Sequence, residues 1–223
     1  LRDFFHPGAY RYLEWDAKNA GDMYELSKYI NDFERRRVVR YFLQQFESYA
    51  VPVFPKLRSS IIYNDANDYN VLVDDSGQSV KGIIDFGDMV HSHIVSEPAI
   101  ACAYAIHGKE DPLQTAAYII EGFHKEFALT EKEIEVIFYF IAVRLCMTLC
   151  NSAYNFSLDP ENEYLNISVE PAWNALEKLL HINSADAENR FRQVCGMLAK
   201  KDASQKDIEE LLTIRKKNLG QSL

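Results

Sequence analysis

Asp65 is followed five residues on by Asn70, and Asp85 opens the segment Asp85-Phe86-Gly87-Asp88. The first pair sits in Tyr63-Asn64-Asp65-Ala66-Asn67-Asp68-Tyr69-Asn70, which runs into the apolar Val71-Leu72-Val73. A turn, Asp74-Asp75-Ser76-Gly77, and a second apolar run from Val80 to Ile84 then lead to Asp85. Phosphoryl transfer asks for these residue types in this order. One carboxylate accepts or orients the proton of an attacking hydroxyl, while an amide oxygen and a second carboxylate hold Mg²⁺ on the nucleotide phosphates. The loop would turn Asp65 and Asn70 toward one cleft, and the hairpin would bring Asp85 back to the same ion. A few hard oxygen donors are what Mg²⁺ prefers. The bland alternative is a polar loop joined to an ordinary hairpin. It has to explain Asn64, Asp65, Asn67, Asp68 and Asn70 together between two apolar strands, where a turn needs one or two such residues.

The elements that must position these groups are legible from periodicity. Residues 4–20, with Phe5, Ala9, Tyr12, Leu13 and Trp15 near helical spacing, predict a helix. Gly21-Asp22 predicts a stop and a new N-cap, with a second helix from Asp22 to about Ala50, ended by Pro52 and Pro55. Strands are expected at Ile61-Ile62-Tyr63, Val71-Leu72-Val73 and Val80 to Ile84, the last two joined as a hairpin. After Pro98 the chain reads as helical: Ala99 to Ile106; Asp111-Pro112 to about Phe127, with Pro at the first helical position; and a long apolar helix to about Ala153. Thr130 and Glu133 open that long helix as a capping box. Further helices are expected from Asp159-Pro160 to about His181, from Ser184 to Lys200, and from Ser204 onward. No internal repeat appears. The fold class expected is α+β, mainly α, in one lobe with a small β insert.

Other residues keep two readings. Asp88 either supports the metal segment or caps the turn into the next helix. Glu97, before Pro98-Ala99, either meets a substrate amine or is a charge at a helix N-terminus. Arg144 lies in an apolar helix and must be paired or face a cleft; it either meets a substrate carboxylate or forms a structural ion pair. Asp68 joins these three as a candidate substrate contact. His91 and His93 lack a third ligand nearby and read as packing residues. Trp15, Tyr104 and Trp173 read as core. The four cysteines, Cys102, Cys146, Cys150 and Cys195, read as free thiols, mostly in apolar helices.

Composition narrows the partners. A formal net charge of -9 and no basic stretch beyond Glu34-Arg35-Arg36-Arg37 argue against nucleic acid. An acidic balance suits an amine. No apolar run approaches the ~20 residues of a membrane span and no secretory signal opens the chain, so a cytoplasmic location is expected. The chain opens on Leu1 without an initiator Met, already in an aromatic-rich pattern, as a piece of a longer protein would.

The Asp-x-x-x-x-Asn loop, strand, turn, strand and Asp-Phe-Gly resemble the catalytic loop and metal segment of kinases. The similarity is nearer to the aminoglycoside phosphotransferase and choline-kinase-like family, and within it to the hydroxylysine-kinase branch. There the loop is typically His-Gly-Asp with Asn five residues on, and the metal segment Ile-Asp-Phe or Ile-Asp-Trp. The resemblance implies that Asp65 is the catalytic base, that Asn70 and Asp85 bind Mg²⁺, and that ATP or GTP donates phosphate to a small amino alcohol or hydroxy amino acid. It implies that residues 1–200 are the α-rich C-terminal lobe of a protein-kinase-like fold. The nine glycines include no Gly-x-Gly, so the N-terminal nucleotide lobe is expected to be missing and this stretch alone inactive or weak. Tyr63 replaces the family's His; Tyr matches its packing but not its hydrogen bonds, which implies reduced activity. Residues 201–223 read as a helical linker, and residues 214–223 resemble the opening of a class III aminotransferase domain. A degenerate kinase-like module docking on such a domain is the alternative function.

Overall fold

The structure, a computed structural model, describes residues 4–161 and 169–200. Its centre is the long helix α5, Glu131–Leu158. The Thr130 side chain accepts from the Glu133 backbone and Glu133 reaches back to the Thr130 backbone, so the expected capping box starts the helix. Between Val136 and Asn151 it is buried almost throughout, Arg144 being the only charge there. A helix apolar on every side is stable only if neighbours enclose it. These are α1 (Met23–Leu26), α2 (Phe33–Gln45), α3 (Ser96–Ala105), α6 (Val169–Leu180) and α7 (Ser184–Val194), with α4 (Pro112–Glu126) packed on α3 and α7. No helix among the described residues is long and apolar enough to cross a membrane.

Two small antiparallel sheets carry the rest. Strand β1, Ser59–Ile62, pairs with β4, Val90–His93, with Ile62 opposite Val90. Strands β2, Val71–Val73, and β3, Val80–Ile83, form the hairpin, with a bulge near Val73. The β1–β4 ladder thus closes the base of a loop spanning residues 63–89, and both halves of the motif emerge from that base. Arg58, next to β1, grips the buried Glu133 carboxylate with two hydrogen bonds (2.9 and 2.6 Å), fastening the insert to the start of α5. The fold is α+β and mainly α, as expected.

Several boundaries differ from the sequence reading. Residues 4–20 are not a helix but two short 3₁₀ turns, Pro7–Ala9 and Ala17–Asp22, joined by irregular chain. Pro7 and Gly8 are poor helix residues, and Phe5, Tyr10 and Tyr12 are exposed rather than buried along one face. Tertiary hydrogen bonds hold this segment instead. Arg11 donates to the Gly87 and Met89 carbonyls, Lys18 Nζ to His91 O (2.6 Å), and Ser92 Oγ to the buried Asp16 (2.5 Å). Gly21-Asp22 is not a stop with a cap; Asp22 stays helical and takes the Tyr12 hydroxyl (2.7 Å). The single helix expected to Ala50 breaks at Ile30–Asp32, where Asp32 caps α2 by accepting from Arg35 N (2.9 Å). β4 was not foreseen, because Val-His-Ser-His lacks the β-branched alternation of a strand. Asp159 ends α5 rather than starting a helix, and α6 is described from Val169. α7 stops at Val194, well short of Lys200: Gly196 adopts φ 68° while Met197 N reaches Arg192 O (2.8 Å) and Gly196 N reaches Gln193 O (3.1 Å), a Schellman end. The helix expected from Ser204 lies outside the described residues.

Candidate active site

Immediately after β1 the chain turns sharply. Asn64 adopts φ 67°, a left-handed conformation that Gly takes freely and Asn tolerates better than most residues. Asn64 is fully buried, and its N–H donates to Glu97 Oε2 (3.0 Å) from the first turn of α3. The turn delivers Asp65 to a cleft of ≈ 570 Å³ between the insert and α5.

Asp65 is held from three sides. Asn70 Nδ2 donates to its Oδ2 (2.6 Å), Asn67 Nδ2 to its Oδ1 (3.0 Å), and the Arg144 guanidinium lies 3.4 Å from the same Oδ1. Arg144 is itself fixed: its guanidinium lies over the Trp15 ring (4.8 Å), and it donates to Trp15 O and the Tyr104 hydroxyl, each at 3.2 Å. Burial pushes the Asp65 carboxyl above the ordinary aspartate value, with the Asp88 charge adding to this; Arg144 and the two amides pull the other way without cancelling it. A carboxylate with a raised proton affinity is the stronger base.

The other polar residues of the loop divide their work. Asn67 Oδ1 accepts from the backbones of Tyr69 (2.8 Å) and Asn70 (3.1 Å), which shapes the turn. Asn70 turns its amide nitrogen to Asp65, leaving its oxygen as the group able to ligate a cation. The Asn70 carbonyl accepts Ile84 N (3.0 Å), tying the loop to the strand that leads to Asp85.

Tyr63 does more than fill space: its hydroxyl donates to Ile84 O (2.5 Å), bridging the loop to the segment that opens with Asp85. Burial first, then the charges of Asp65, Asp85 and Glu97, raise its pKa, so it remains a donor. Asp85 follows with φ 57° and accepts from Gly87 N (3.2 Å). A Cβ at Gly87 would stand 3.2 Å from Asp85 Oδ1, tighter than most such contacts, so the Asp85 side chain would have to shift slightly to admit it.

Asp65, Asp68, Asn70 and Asp85 all line this cleft. Asp88, Glu97 and Arg144 do not. Asp88 is partly buried and felt by Asp65 through its charge. Glu97 is spent on the loop backbone; burial raises its pKa against those hydrogen bonds and Arg144. Arg144 stands behind Asp65 as its counter-charge, the structural alternative of its two readings. Glu97 and Arg144 as substrate contacts therefore lose geometric support, and both act through Asp65 and its loop.

The sequence reading also missed part of the wall. Trp15 and Tyr104, expected in the core, line the cleft, with His107 and the polar side of α5: Thr148, Asn151, Ser152 and Asn155. Their spacing of three, four and seven residues on an otherwise apolar helix was the available signal. His91 and His93 pack on Tyr10 and Phe54, each with ring centroids 4.4 Å apart, and no cluster of three or more His, Cys, Asp or Glu able to hold a metal occurs among the described residues. A magnesium nucleotide needs no such cage, since its phosphates supply ligands. The donor set of one amide and one or two carboxylates fits that ion.

Residues 2–131 match the phosphotransferase enzyme family. The chain is also similar to hydroxylysine kinase of Mus musculus, 30% identical over 200 residues, covering 84% of this chain and 53% of the relative. Against hydroxylysine kinase of Xenopus laevis the identity is 28%, covering 74% and 46%; against that of Danio rerio it is 30%, covering 75% and 49%. The chain thus spans about half the length of these curated relatives.

Proposed function

The chain belongs to the phosphotransferase enzyme family, and from that premise we propose that its protein moves the terminal phosphate of ATP or GTP to the hydroxyl of a small hydroxy amino acid or amino alcohol, hydroxylysine-like in form. The observation carrying this reading is the buried-side fixing of Asp65 against Asn70 and Arg144 at the wall of a cleft that Asp85 also lines.

Asp65 takes the proton of the acceptor hydroxyl, and its neighbours set where that oxygen must stand. Asn70 and Asp85 would hold Mg²⁺, which when bound supplies charge neutralisation on the transferring phosphate. Tyr63 fixes the distance between the two halves by binding Ile84 O.

Residues 1–200 are read as the catalytic lobe, with the nucleotide covered by a second body. The β2–β3 hairpin and the residues after it support this: Leu72, Val73, Val80, Ile83, Ile84 and Phe86 are all exposed large hydrophobics, and grouped exposed apolar residues suit a surface that another body covers. The aminotransferase likeness of residues 214–223 lies outside the described residues; as a proposal, a docked aminotransferase domain is checked by reading the complete coding sequence.

The test is nucleotide consumption by the intact protein with Mg²⁺ and a panel of hydroxy amino acids and amino alcohols, repeated with Asp65→Asn. Transfer that disappears in the variant supports the assignment. Transfer at the wild-type rate in the variant, or none with any acceptor in the wild type, overturns it.

A further inference from the structure

The cleft wall opposite the Asp65 loop carries two buried polar groups with nothing to bind. Asn151 is only 4% exposed, yet its Nδ2 has no hydrogen-bond partner among the described residues. His107 Nε2 is likewise buried and unpartnered. Both residues line the same cleft as Asp65. Buried polar groups are almost always hydrogen-bonded, so unsatisfied ones in a cleft point to a ligand that completes them. Neither group does so by accident of a mobile surface: Asn151 sits on the most enclosed helix of the fold, and His107 directly follows α3.

Their chemistry is specific. Asp65, Asp68 and Asp85 line the cleft together with neutral polar residues, among which Asn151 and His107 carry the unpartnered groups. An amide N–H donates to an anionic oxygen, and a neutral imidazole does the same from Nε2 in its Nε2–H tautomer. Burial lowers the His107 pKa, and the Asp68 charge only partly opposes this, so the imidazole is neutral near pH 7. Asp68, exposed at the cleft edge and near enough to influence His107, offers a carboxylate for an ammonium.

Resting on the phosphotransferase reading above, we propose that Asn151 and His107 bind the carboxylate, and Asp68 the α-ammonium, of a hydroxy amino acid. The site thereby selects an amino acid over the corresponding amino alcohol.

The test compares 5-hydroxylysine with its decarboxylated diamine as acceptors for the intact protein. Wild type is expected to favour the amino acid. Asn151→Asp keeps the shape but replaces the donor with a like charge; it should raise KM for the amino acid roughly tenfold or more while KM for the diamine holds or falls. Asn151→Leu should raise KM for the amino acid alone, with kcat for both acceptors retained. Equal changes for both acceptors in both variants would mark Asn151 as structural and overturn the proposal, as would no change in either. Failure of the wild type to phosphorylate any acceptor is a failure of the parent reading, seen before any variant is made, and takes this inference with it.

Discussion

The two arms of the site are built in opposite ways. The Asp65–Asn70 loop is embedded: Asn64 is buried, Glu97 holds its backbone, and Arg144, clamped by Trp15 and Tyr104, holds the carboxylate. The Asp85 arm stands in solvent, with Ile83, Ile84 and Phe86 exposed, and is tied to the body through Tyr63, Asn70 O and Arg11. The contrast fits the proposed roles: a base must hold one geometry to within a fraction of an ångström, whereas a metal ligand can be drawn into place by the ion it binds.

The largest effects should expose that contrast directly. Asp65→Asn and Asp85→Asn are both expected to cut kcat of the intact protein, the first by roughly 10²–10⁴-fold. Their stabilities should part company. Asp85→Asn, on an exposed residue in a left-handed conformation that Asn tolerates, should leave the unfolding free energy within about 0.5 kcal/mol. A large drop in Tm for Asp85→Asn would break the comparison.

Next comes Arg144→Met. It strands the Asp65 carboxylate in a partly buried site without its counter-charge, a loss of about 2–3 kcal/mol, or roughly 5–10 °C in Tm. Tyr63→Phe is smaller. It deletes one hydrogen bond between the arms, about 1 kcal/mol, and the metal segment should then exchange its backbone amides faster while the α5 amides keep their protection. Hydrogen exchange reads both.

The smallest effect concerns pH. Burial raises the Asp65 pKa in the folded chain, so the native state binds its proton more tightly than the unfolded one. Across the window between the ordinary aspartate value and the raised one, this contribution to stability falls as pH rises and returns as pH falls. Asp65→Asn should therefore raise Tm at pH 7 by a few °C at most, with the gain shrinking as pH drops through that window. A gain independent of pH between 7 and 4 would show that Asp65 carries no burial penalty. Above the same window Asp65 is ionised and competent as a base, so activity should decline as pH falls through it.

The loop, the hairpin and the capping box were legible because each rests on local chemistry: Asx and Gly turn residues, β-branched runs, and Thr130 facing Glu133 one turn away. The role of Tyr63 was not, since its partner, Ile84 O, is twenty-one residues distant. The same holds for the 3₁₀ turns of residues 4–20, where aromatic spacing suggested a helix and long-range bonds from Arg11 and Lys18 decided otherwise.

By itself, the amino-acid order determined which side chains can do chemistry and how far apart along the chain they lie, because carboxylates, amides and turn formers act over a few residues. Only the tertiary structure decided that Glu97 and Arg144 stand behind Asp65 rather than at the cleft, and that Asn151 and His107 face it. Burial and counter-charge come from residues far off in sequence, and no local pattern records which way a helix face will turn once it is packed.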